Sequence, residues 1–379
     1  MCPYSLTRPG GVQGQVIGLC EALVSLGHDV SIIAPSDGER CELVPPVVAE
    51  RLISVGRTLP VPANGSVAPL ALSPLAPLRA LRALAAGEHD VVHVHEPYAP
   101  GPGLATLLRR HTPMVWTFHR SGRGYGYFLY ARAIRSIMPP GVRRCAVSNA
   151  AQLTAEWACG GTYEVLFNGV DLEGIAGAEP ATNDRPVICF IGRHEHRKGL
   201  AVLLEAFAEL SEIHGQGVGG ASSSESSELW IVGEGPETAG LRRRWSALAN
   251  VKWLGSLGRA ELASRLAGAQ ILCAPSLFGE SFGVVLLEAM AAHTLVVASD
   301  IAGYRDVVAD HGVLFPPGDV KALVVALTGA LSDVRDKSGN ASAHRLDAAA
   351  AYAGRRSFRA LAERYLRIYG EVSGSSRRG

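Results

Sequence analysis

The sequence predicts an α/β protein made of two Rossmann-like domains, each with a parallel, doubly wound sheet. Its 379 residues are enough for two domains that each bury a full core. In both halves, short apolar runs alternate with segments of helical periodicity, which is typical of successive β-α-β units. Residues 173–185 are rich in Gly, Ala, Pro and Asn and show no periodicity, so we place the domain boundary there.

In the first half, Met1 to Tyr4 supply a short first strand, and four further apolar runs predict strands. These runs are His28–Pro35, Asp90–His95, Pro113–His119 and Arg143–Ser148. Between the first two strands, apolar residues recur at helical spacing at Val12, Val16, Leu19, Leu23 and Leu26. We therefore expect a helix there with one buried face.

The second half repeats this alternation, with a predicted helix over Leu200–Leu210. Its predicted strands are Val187–Ile191, Leu229–Gly233, Val251–Gly255, Ile271–Pro275 and Leu295–Ser299. We assign residues 1–172 to the first domain, 173–185 to a linker and 186–350 to the second domain. Residues 351–379 are expected to form a C-terminal helix that packs back on the first domain.

Composition excludes several classes of function. The net charge of +1 gives no basis for binding nucleic acid. The seven cysteines are dispersed without a C-x-x-C pair, which indicates reduced thiols in a cytoplasmic protein. The longest apolar stretch, residues 284–298, is interrupted by Glu288 and His293, so it does not predict a membrane-spanning helix. Any contact with the inner face of the membrane is therefore expected to be peripheral.

One segment has a marked charge asymmetry. Residues 97–155 contain no Asp or Glu. They contain eight arginines, at positions Arg109, Arg110, Arg120, Arg123, Arg132, Arg135, Arg143 and Arg144. Such a segment is either a solvated basic surface or a patch that faces anionic lipid headgroups. The segment 59–86 adds a predicted amphipathic helix with Arg79 and Arg82 in its second half.

Two carboxylates, Glu280 and Glu288, stand eight residues apart around a predicted helix start. Ser281 is the expected N-cap of that helix. The amides of Phe282, Gly283 and Val284 are then free to bind an anion. An ordinary capped core helix with two surface acids would have the same sequence pattern. The pattern also suits a nucleotide-sugar, with carboxylates facing hydroxyls and amides facing a phosphate.

A cationic segment strengthens the second interpretation. Arg193 and Lys198 follow the predicted strand Val187–Ile191 and precede a predicted helix. Open α/β sheets bind ligands at the carboxyl ends of their strands, so these two cations can neutralise a diphosphate there. In the first half, Gly10 and Gly11 occupy the equivalent strand-to-helix turn, where the absence of Cβ lets backbone amides approach a phosphate.

Together these segments resemble the retaining glycosyltransferases of family 4, in which two facing Rossmann-like domains enclose a cleft (the GT-B architecture). The resemblance is carried by the E-x7-E element Glu280–Glu288 and the G-R-x4-K-G element Gly192–Gly199. It narrows to the phosphatidylinositol mannosyltransferases of actinobacteria on five further segments: Cys2–Ser5, Pro9–Gln13, His93–Pro97, Thr117–His119 and Asn168–Asp171.

The resemblance implies retaining transfer of a hexose, namely mannose from GDP-mannose, to phosphatidylinositol or a related lipid. It implies that Arg193 and Lys198 bind the donor diphosphate, that Glu280 binds sugar hydroxyls and that Glu288 binds the ribose. It places His119 near the reacting sugar, although the same histidine also suits an ordinary strand end. These four expected catalytic residues are His119, Arg193, Lys198 and Glu280, with Gly11 and the amides of residues 282–284 as further donor contacts. No D-x-D motif occurs, so neither a metal nor another cofactor is expected.

On the acceptor side, the resemblance implies contacts from Tyr4, Gly10, Gly11 and Gln13. Tyr98 and Arg120 depart from the family pattern where the lipid headgroup is expected to bind, and Arg120 adds a cation for an anionic acceptor. Three alternatives stay open at this point. The chain could use a UDP-sugar with another acceptor, it could be an epimerase or phosphorylase on the same fold, or it could be a non-catalytic sugar-binding paralogue.

Overall fold

The chain folds into two structural units. The computed structural model describes residues 1–38, 44–63, 66–109, 112–215, 227–335 and 340–376, so Arg110 lies outside the described residues. The chain divides into a first unit, Met1–Gly169 with Arg356–Gly379, and a second unit, Val170–Arg355. Residues 173–185, predicted as a linker, belong to the second unit and include most of a short helix, Leu172–Ala176.

In chain order, the first unit contains the following elements. They are α1 Gly11–Ser25, β1 Ile32–Ala34, α2 Pro46–Ala49, β2 Leu52–Ser54, β3 Leu59–Ala63, β4 Ser66–Leu70, α3 Leu75–Ala86, β5 Val92–His95, a 3-10 helix Pro102–Leu108, β6 Met114–Phe118, α4 Tyr125–Arg135, β7 Arg143–Ala146, α5 Asn149–Cys159, β8 Glu164–Val165 and, at the end of the chain, α14 Phe358–Ser376.

The second unit contains the remaining elements. They are α6 Leu172–Ala176, β9 Val187–Ile191, a 3-10 helix His196–Lys198, α7 Leu200–Gly215, β10 Glu228–Val232, α8 Thr238–Arg244, β11 Val251–Gly255, α9 Arg259–Gly268, β12 Ile271–Ala274, α10 Val284–Ala291, β13 Leu295–Ser299, α11 Ala302–Val308, β14 Val313–Phe315, α12 Val320–Arg335 and α13 Asn340–Gly354.

The second unit holds a six-stranded parallel sheet in the order β11-β10-β9-β12-β13-β14. Numbered along the unit, this is the 3-2-1-4-5-6 order of a Rossmann fold. The strand order reverses between β9 and β12. Ligands bind outside the carboxyl ends of the strands at such a reversal, which directs attention to the loops that follow these two strands.

The first unit follows the same plan, although its sheet is divided. Strands β5-β6-β7-β8 form one parallel sheet, and β1 pairs with β2 in another. Met1 and Cys2 lie between the two, because the N–H of Cys2 donates to the Ile33 carbonyl (3.1 Å) and the N–H of His95 donates to the Met1 carbonyl (3.0 Å). Residues 1–2 thus take the place of the predicted first strand without forming a regular one.

The C-terminal helix α14 completes the core of the first unit. It packs against α1 and β6. The cluster it closes is built from Leu19, Leu23, Val115, Leu166, Leu361 and Tyr365. The predicted α/β class with parallel sheets is confirmed. Among the described helices, none combines the length and the apolar character that crossing a membrane requires.

Candidate functional site

The loops after β9 and β12 touch each other at the strand-order reversal of the second unit. Gly199 follows the 3-10 turn and has a left-handed backbone (φ +69°), and a Cβ on it would lie 1.9 Å from the Pro275 carbonyl oxygen. Only glycine fits this approach. The close packing brings the cationic loop after β9 against the loop that carries Glu280.

At this junction, two cations bind one carboxylate. Glu280 Oε1 lies 2.8 Å from the Lys198 ammonium and 2.5 Å from the Arg197 guanidinium. Burial alone raises the pKa of the Glu280 carboxyl, but Lys198 and Arg197 outweigh it, so the net direction is downward. Glu280 is therefore a largely enclosed, ionised acceptor in this unit, with 11% of its side chain exposed.

Arg193 follows β9, as predicted, and forms an ion pair there. Its guanidinium pairs with Glu195 (2.9 Å), and Glu195 also binds Arg197 (3.1 Å). Charges of alternating sign thus run from Arg193 through Glu195 and Arg197 to Glu280. The sequence prediction missed Arg197 and Glu195, although both lie inside the G-R-x4-K-G element on which it relied.

The start of α10 differs from the prediction. Gly283, not Ser281, is the N-cap, and no side chain caps the helix. Gly283 has φ +82°, and a Cβ there would lie 2.5 Å from the Tyr304 ring, so the left-handed glycine ends the loop and Tyr304 covers it. The predicted N-cap was wrong because the loop turns into the helix two residues later. Phe282 is buried, and Val284 is the first residue of the helix.

Glu288 lies in the second turn of α10. Burial, with a smaller contribution from the nearby charge of Asp171, raises the pKa of its carboxyl to about 7, and Arg259 opposes this shift. A carboxyl with this pKa is part protonated at neutral pH. It can both donate a hydrogen bond to a hydroxyl and accept one.

In the first unit, His119 directly follows β6 and is 6% exposed. Its Nε2 shares a hydrogen bond of 2.9 Å with Nδ1 of His95, at the end of β5. The backbone N–H groups of His119 and Arg120 donate to Glu96 Oε1, at 2.5 and 3.1 Å. Burial lowers the pKa of His119 to about 3, so its ring is neutral.

Arg120 stacks on the ring of Tyr127, and its charge acts on Tyr4, a predicted acceptor residue. Its guanidinium lies over the Tyr127 ring, 4.7 Å from the centroid. Burial raises the pKa of the Tyr4 hydroxyl, the Glu96 charge adds to the shift and Arg120 opposes it. The structure thus joins the backbones of His119 and Arg120 through Glu96 Oε1, and the charges of Glu96 and Arg120 act on Tyr4.

Gly10 and Gly11 begin α1, with Gly10 as its N-cap in an extended conformation. A Cβ on Gly10 would lie 2.3 Å from Oε1 of Gln13, whereas the space around Gly11 is open. Gln13 therefore folds back over Gly10, and Gly11 is the position at which a ligand can approach the helix start.

Tyr98 lies in the hydrophobic core of the first unit. It is 2% exposed and makes edge-on contacts with the rings of Trp116, Phe118 and Tyr127. The prediction that its ring contacts an acceptor is therefore not supported by its position. Its bulk fills the core beneath Tyr127, the ring on which Arg120 stacks.

Comparison with known proteins agrees with these two units. Residues 9–173 match the model of Glycosyltransferase Family 4, and residues 185–333 match that of Glycosyl transferases group 1. The phosphatidyl-myo-inositol mannosyltransferase of Mycolicibacterium smegmatis is 35% identical, covering 99% of this chain and 94% of that protein. The protein of the same name from Mycobacterium leprae is 34% identical over 99% of this chain and 96% of its own.

A solved structure agrees with the fold. A glycosyltransferase from Rickettsia africae superposes with a TM-score of 0.72 at 20% identity, covering 96% of this chain and 95% of that one. This likeness supports the fold of two Rossmann-like units, while the sequence relatives establish the family across almost the whole chain. The chain belongs to the glycosyltransferases of family 4.

Proposed function

We propose that this protein transfers mannose from GDP-mannose, with retention at the anomeric carbon, to phosphatidylinositol or another lipid with a phosphate-linked headgroup. The observation that carries the proposal is the Glu280 carboxylate bound by Lys198 and Arg197 at the strand-order reversal of the second unit. The donor sugar and the acceptor are inferred from the relatives named phosphatidyl-myo-inositol mannosyltransferase.

The charge arrangement suits a nucleotide-sugar donor. In the transfer, the bond between the anomeric carbon and the diphosphate oxygen breaks, and an acceptor hydroxyl oxygen bonds to that carbon and loses its proton. Negative charge grows on the departing diphosphate, and fixed cations stabilise it without reorganising. Lys198 is held at the site by Glu280, so its ammonium is positioned before the donor arrives.

Glu280 and Glu288 suit the two sugars of the donor. Glu280 has the ionised character that accepts hydrogen bonds from hexose hydroxyls, since Lys198 and Arg197 lower its pKa against the effect of burial. The pKa of the Glu288 carboxyl is raised to about 7. Such a carboxyl suits the two hydroxyls of a ribose, which both donate and accept hydrogen bonds.

The substrate assignment is tested by offering the purified protein GDP-mannose and a set of UDP-sugars, each with and without phosphatidylinositol vesicles. GDP release that requires the inositol lipid, with a mannosylated lipid as product, is the expected result. Release from a UDP-sugar, or with another acceptor only, would overturn the substrates. Interconversion of the donor sugar without an acceptor would identify an epimerase, and donor binding without turnover would identify a binding protein.

Arg120 is expected to set the preference for an anionic acceptor. Its guanidinium is stacked on Tyr127, and its Nε has no hydrogen-bond partner although it is buried. The charge of this guanidinium suits an acceptor phosphate. Replacing Arg120 with Thr should raise the KM for the lipid by about 10-fold or more, since a charge-assisted hydrogen bond contributes roughly 1.5–3 kcal/mol.

The KM for GDP-mannose serves as the internal control for this variant, because Arg120 is assigned to the acceptor. Arg123→Thr, on a neighbouring arginine that lies over the Trp157 ring, is the matched control. An unchanged lipid KM in Arg120→Thr, or an equal rise in both variants, would contradict the assignment.

The first unit also presents apolar side chains among arginines on α4. Tyr125 and Leu129 are 85% and 63% exposed, and Arg132 and Arg135 lie on the same helix. Helix α3 repeats the pattern with exposed Leu75 and Leu78. This composition suits peripheral contact with an anionic bilayer, where aliphatic and aromatic groups enter the headgroup region and arginines face phosphates.

Replacing Leu129 with Glu is expected to weaken binding to anionic vesicles, because it introduces a carboxylate where an apolar group would enter the bilayer. Flotation with phosphatidylglycerol-containing and neutral vesicles measures this effect. Leu153→Glu, on an exposed leucine of α5, is the comparison variant. Equal flotation of the Leu129→Glu variant and the wild type would remove α4 from the contact.

A further inference from the structure

His119 is held from two directions by residues at the end of β5. His95 binds its ring, with 2.9 Å between His95 Nδ1 and His119 Nε2. Glu96 binds its backbone, with 2.5 Å between Oε1 and the N–H of His119. Because Nε2 is already bonded to His95, Nδ1 is the ring nitrogen through which His119 can contact a substrate.

Glu96 has a backbone conformation that a glutamate rarely adopts. Its φ is +48°, in the left-handed region, and its side chain is 5% exposed. Both features cost free energy, the first through steric strain and the second through loss of solvation. The N–H groups of His119 and Arg120 compensate by donating to the carboxylate. Strain and burial at one residue beside a reacting group point to a role in the site.

We propose that His95 and Glu96 are positioning residues for His119, with His95 fixing the tautomer and rotation of its ring and Glu96 fixing the backbone turn that carries it. This inference rests on the proposed function, which assigns His119 to the reacting sugar. Neither residue needs to touch a substrate. A ring that alternated between two tautomers would present the wrong nitrogen for part of the time.

Both rings are neutral, so each carries a single N–H and exists as one of two tautomers. Burial lowers the pKa of both His95 and His119, and the neighbouring His93 and His119 side chains also disfavour a charge on His95. Two neutral imidazoles that share one hydrogen bond have one N–H between their facing nitrogens. Whichever ring supplies it, the contact fixes whether Nδ1 of His119 is a donor or an acceptor.

A second layer holds His95 in turn. The His93 ring stacks on that of His95 at 4.2 Å. His93 Nε2 bonds to the hydroxyl of Thr117 and Nδ1 to that of Tyr369, each at 2.7 Å. Tyr365 also bonds to Thr117, at 2.9 Å. Helix α14 therefore anchors the histidines from behind, which leaves His95 little rotational freedom.

The test of His95 uses two side chains of nearly the same shape. Asparagine places a polar atom close to the position of Nδ1, whereas leucine offers none. We expect His95→Leu to lower kcat by about 10–100-fold, as loss of a ring-orienting partner does elsewhere, with the KM for the donor unchanged. His95→Asn should retain most of the activity. Equal kcat values for the two variants would overturn the proposal for His95.

The test of Glu96 follows the same logic. Gln keeps an oxygen that accepts both N–H groups, and Met has a similar length without one. Glu96→Gln should have a kcat close to that of the wild type. The kcat of Glu96→Met should be lowered, as in His95→Leu. Thr106→Val is the control for general destabilisation, because it removes a buried hydrogen bond to Gly103 in the same unit. If Thr106→Val and Glu96→Met lose equal thermal stability and equal kcat, the role of Glu96 is structural only.

Imidazole 15N NMR of the full chain separates this proposal from the proposed function. The protein contains 12 histidines, and His119→Gln identifies the resonances of His119. One tautomer is expected in the wild type and in His95→Asn, and a mixture in His95→Leu. This result would hold even if no lipid proved to be an acceptor. A His119 signal that does not change between His95→Leu and the wild type would overturn the positioning role regardless of activity.

Discussion

Replacing Lys198 with Ala is expected to lower kcat by about 10²–10³-fold, the usual cost of removing a fixed group that stabilises developing charge. The ammonium of Lys198 lies 2.8 Å from the Glu280 carboxylate, which holds it at the strand-order reversal of the second unit. Without it, Arg197 is the remaining cation on that carboxylate. Steady-state transfer from GDP-mannose to phosphatidylinositol measures the effect.

The same variant should change the pH dependence of activity in a defined direction. Of the charges that oppose burial at Glu280, Lys198 has the largest effect in lowering the carboxyl pKa. Its removal therefore raises that pKa, and the acid limb of the rate profile moves to higher pH. An acid limb that does not move would show that ionised Glu280 is not required.

Lys252→Ala is the matched control for Lys198→Ala. Lys252 also pairs with a glutamate at 2.8 Å, but its side chain is 55% exposed, on the edge strand β11. Exposed ion pairs contribute little, so kcat should stay at the wild-type value. If Lys252→Ala and Lys198→Ala lost activity equally, the effect would be one of general stability. A normal rate in Lys198→Ala alone would remove that residue from the mechanism.

The parts of the fold that the sequence predicted well are those with strong apolar periodicity. β9 and β13 have the predicted bounds, because a parallel strand covered on both faces is a continuous apolar run. The edge strand β11 also has its predicted bounds, although Lys252 interrupts its apolar residues. The hairpin of β3 and β4 was missed. Three of its residues are proline (Pro60, Pro62 and Pro69), and proline argues against a strand except at edges.

The candidate site was predictable where motif spacing decides, and not where backbone conformation does. The two motifs identified Glu280 and Lys198 separately, and the structure joins them in one ion pair. It did not identify Arg197, because the 3-10 turn His196–Lys198 brings two successive side chains to one carboxylate. The sequence places Glu96 in the motif His93–Pro97 but predicts no separate role for it. Its role depends on a positive φ that no local sequence rule predicts for glutamate.

Replacing Glu288 with Gln is expected to stabilise the protein most above pH 7. Below pH 7, it should reduce the change of the unfolding free energy with pH. Burial raises the pKa of this carboxyl from its ordinary value of 4.5 to about 7. Below pH 4.5 the group is protonated in both folded and unfolded chains and has no effect on the balance. Between pH 4.5 and 7 the unfolded chain ionises while the folded chain keeps its proton, so stability falls as pH rises.

The size of this effect follows from the pKa difference. Between pH 4.5 and 7, each pH unit lowers the unfolding free energy of the wild type by about 1.4 kcal/mol. The total loss is up to about 3 kcal/mol, and Glu288→Gln should not show it. Urea titrations of both proteins from pH 4 to 8 measure the difference in the free energy of unfolding. Glu261→Gln, which removes an exposed carboxyl from the neighbouring helix α9, is the control.

The same substitution tests the ribose assignment separately from stability. Gln keeps a donor and an acceptor at this position in α10, so a ribose contact made by the protonated carboxyl should survive. We expect the KM for GDP-mannose to change little below pH 7 in Glu288→Gln. A difference in unfolding free energy that stays constant from pH 4.5 to 7 would show that Glu288 is ionised in the folded protein. The contact would then require a carboxylate, and the amide variant should bind the donor more weakly at every pH.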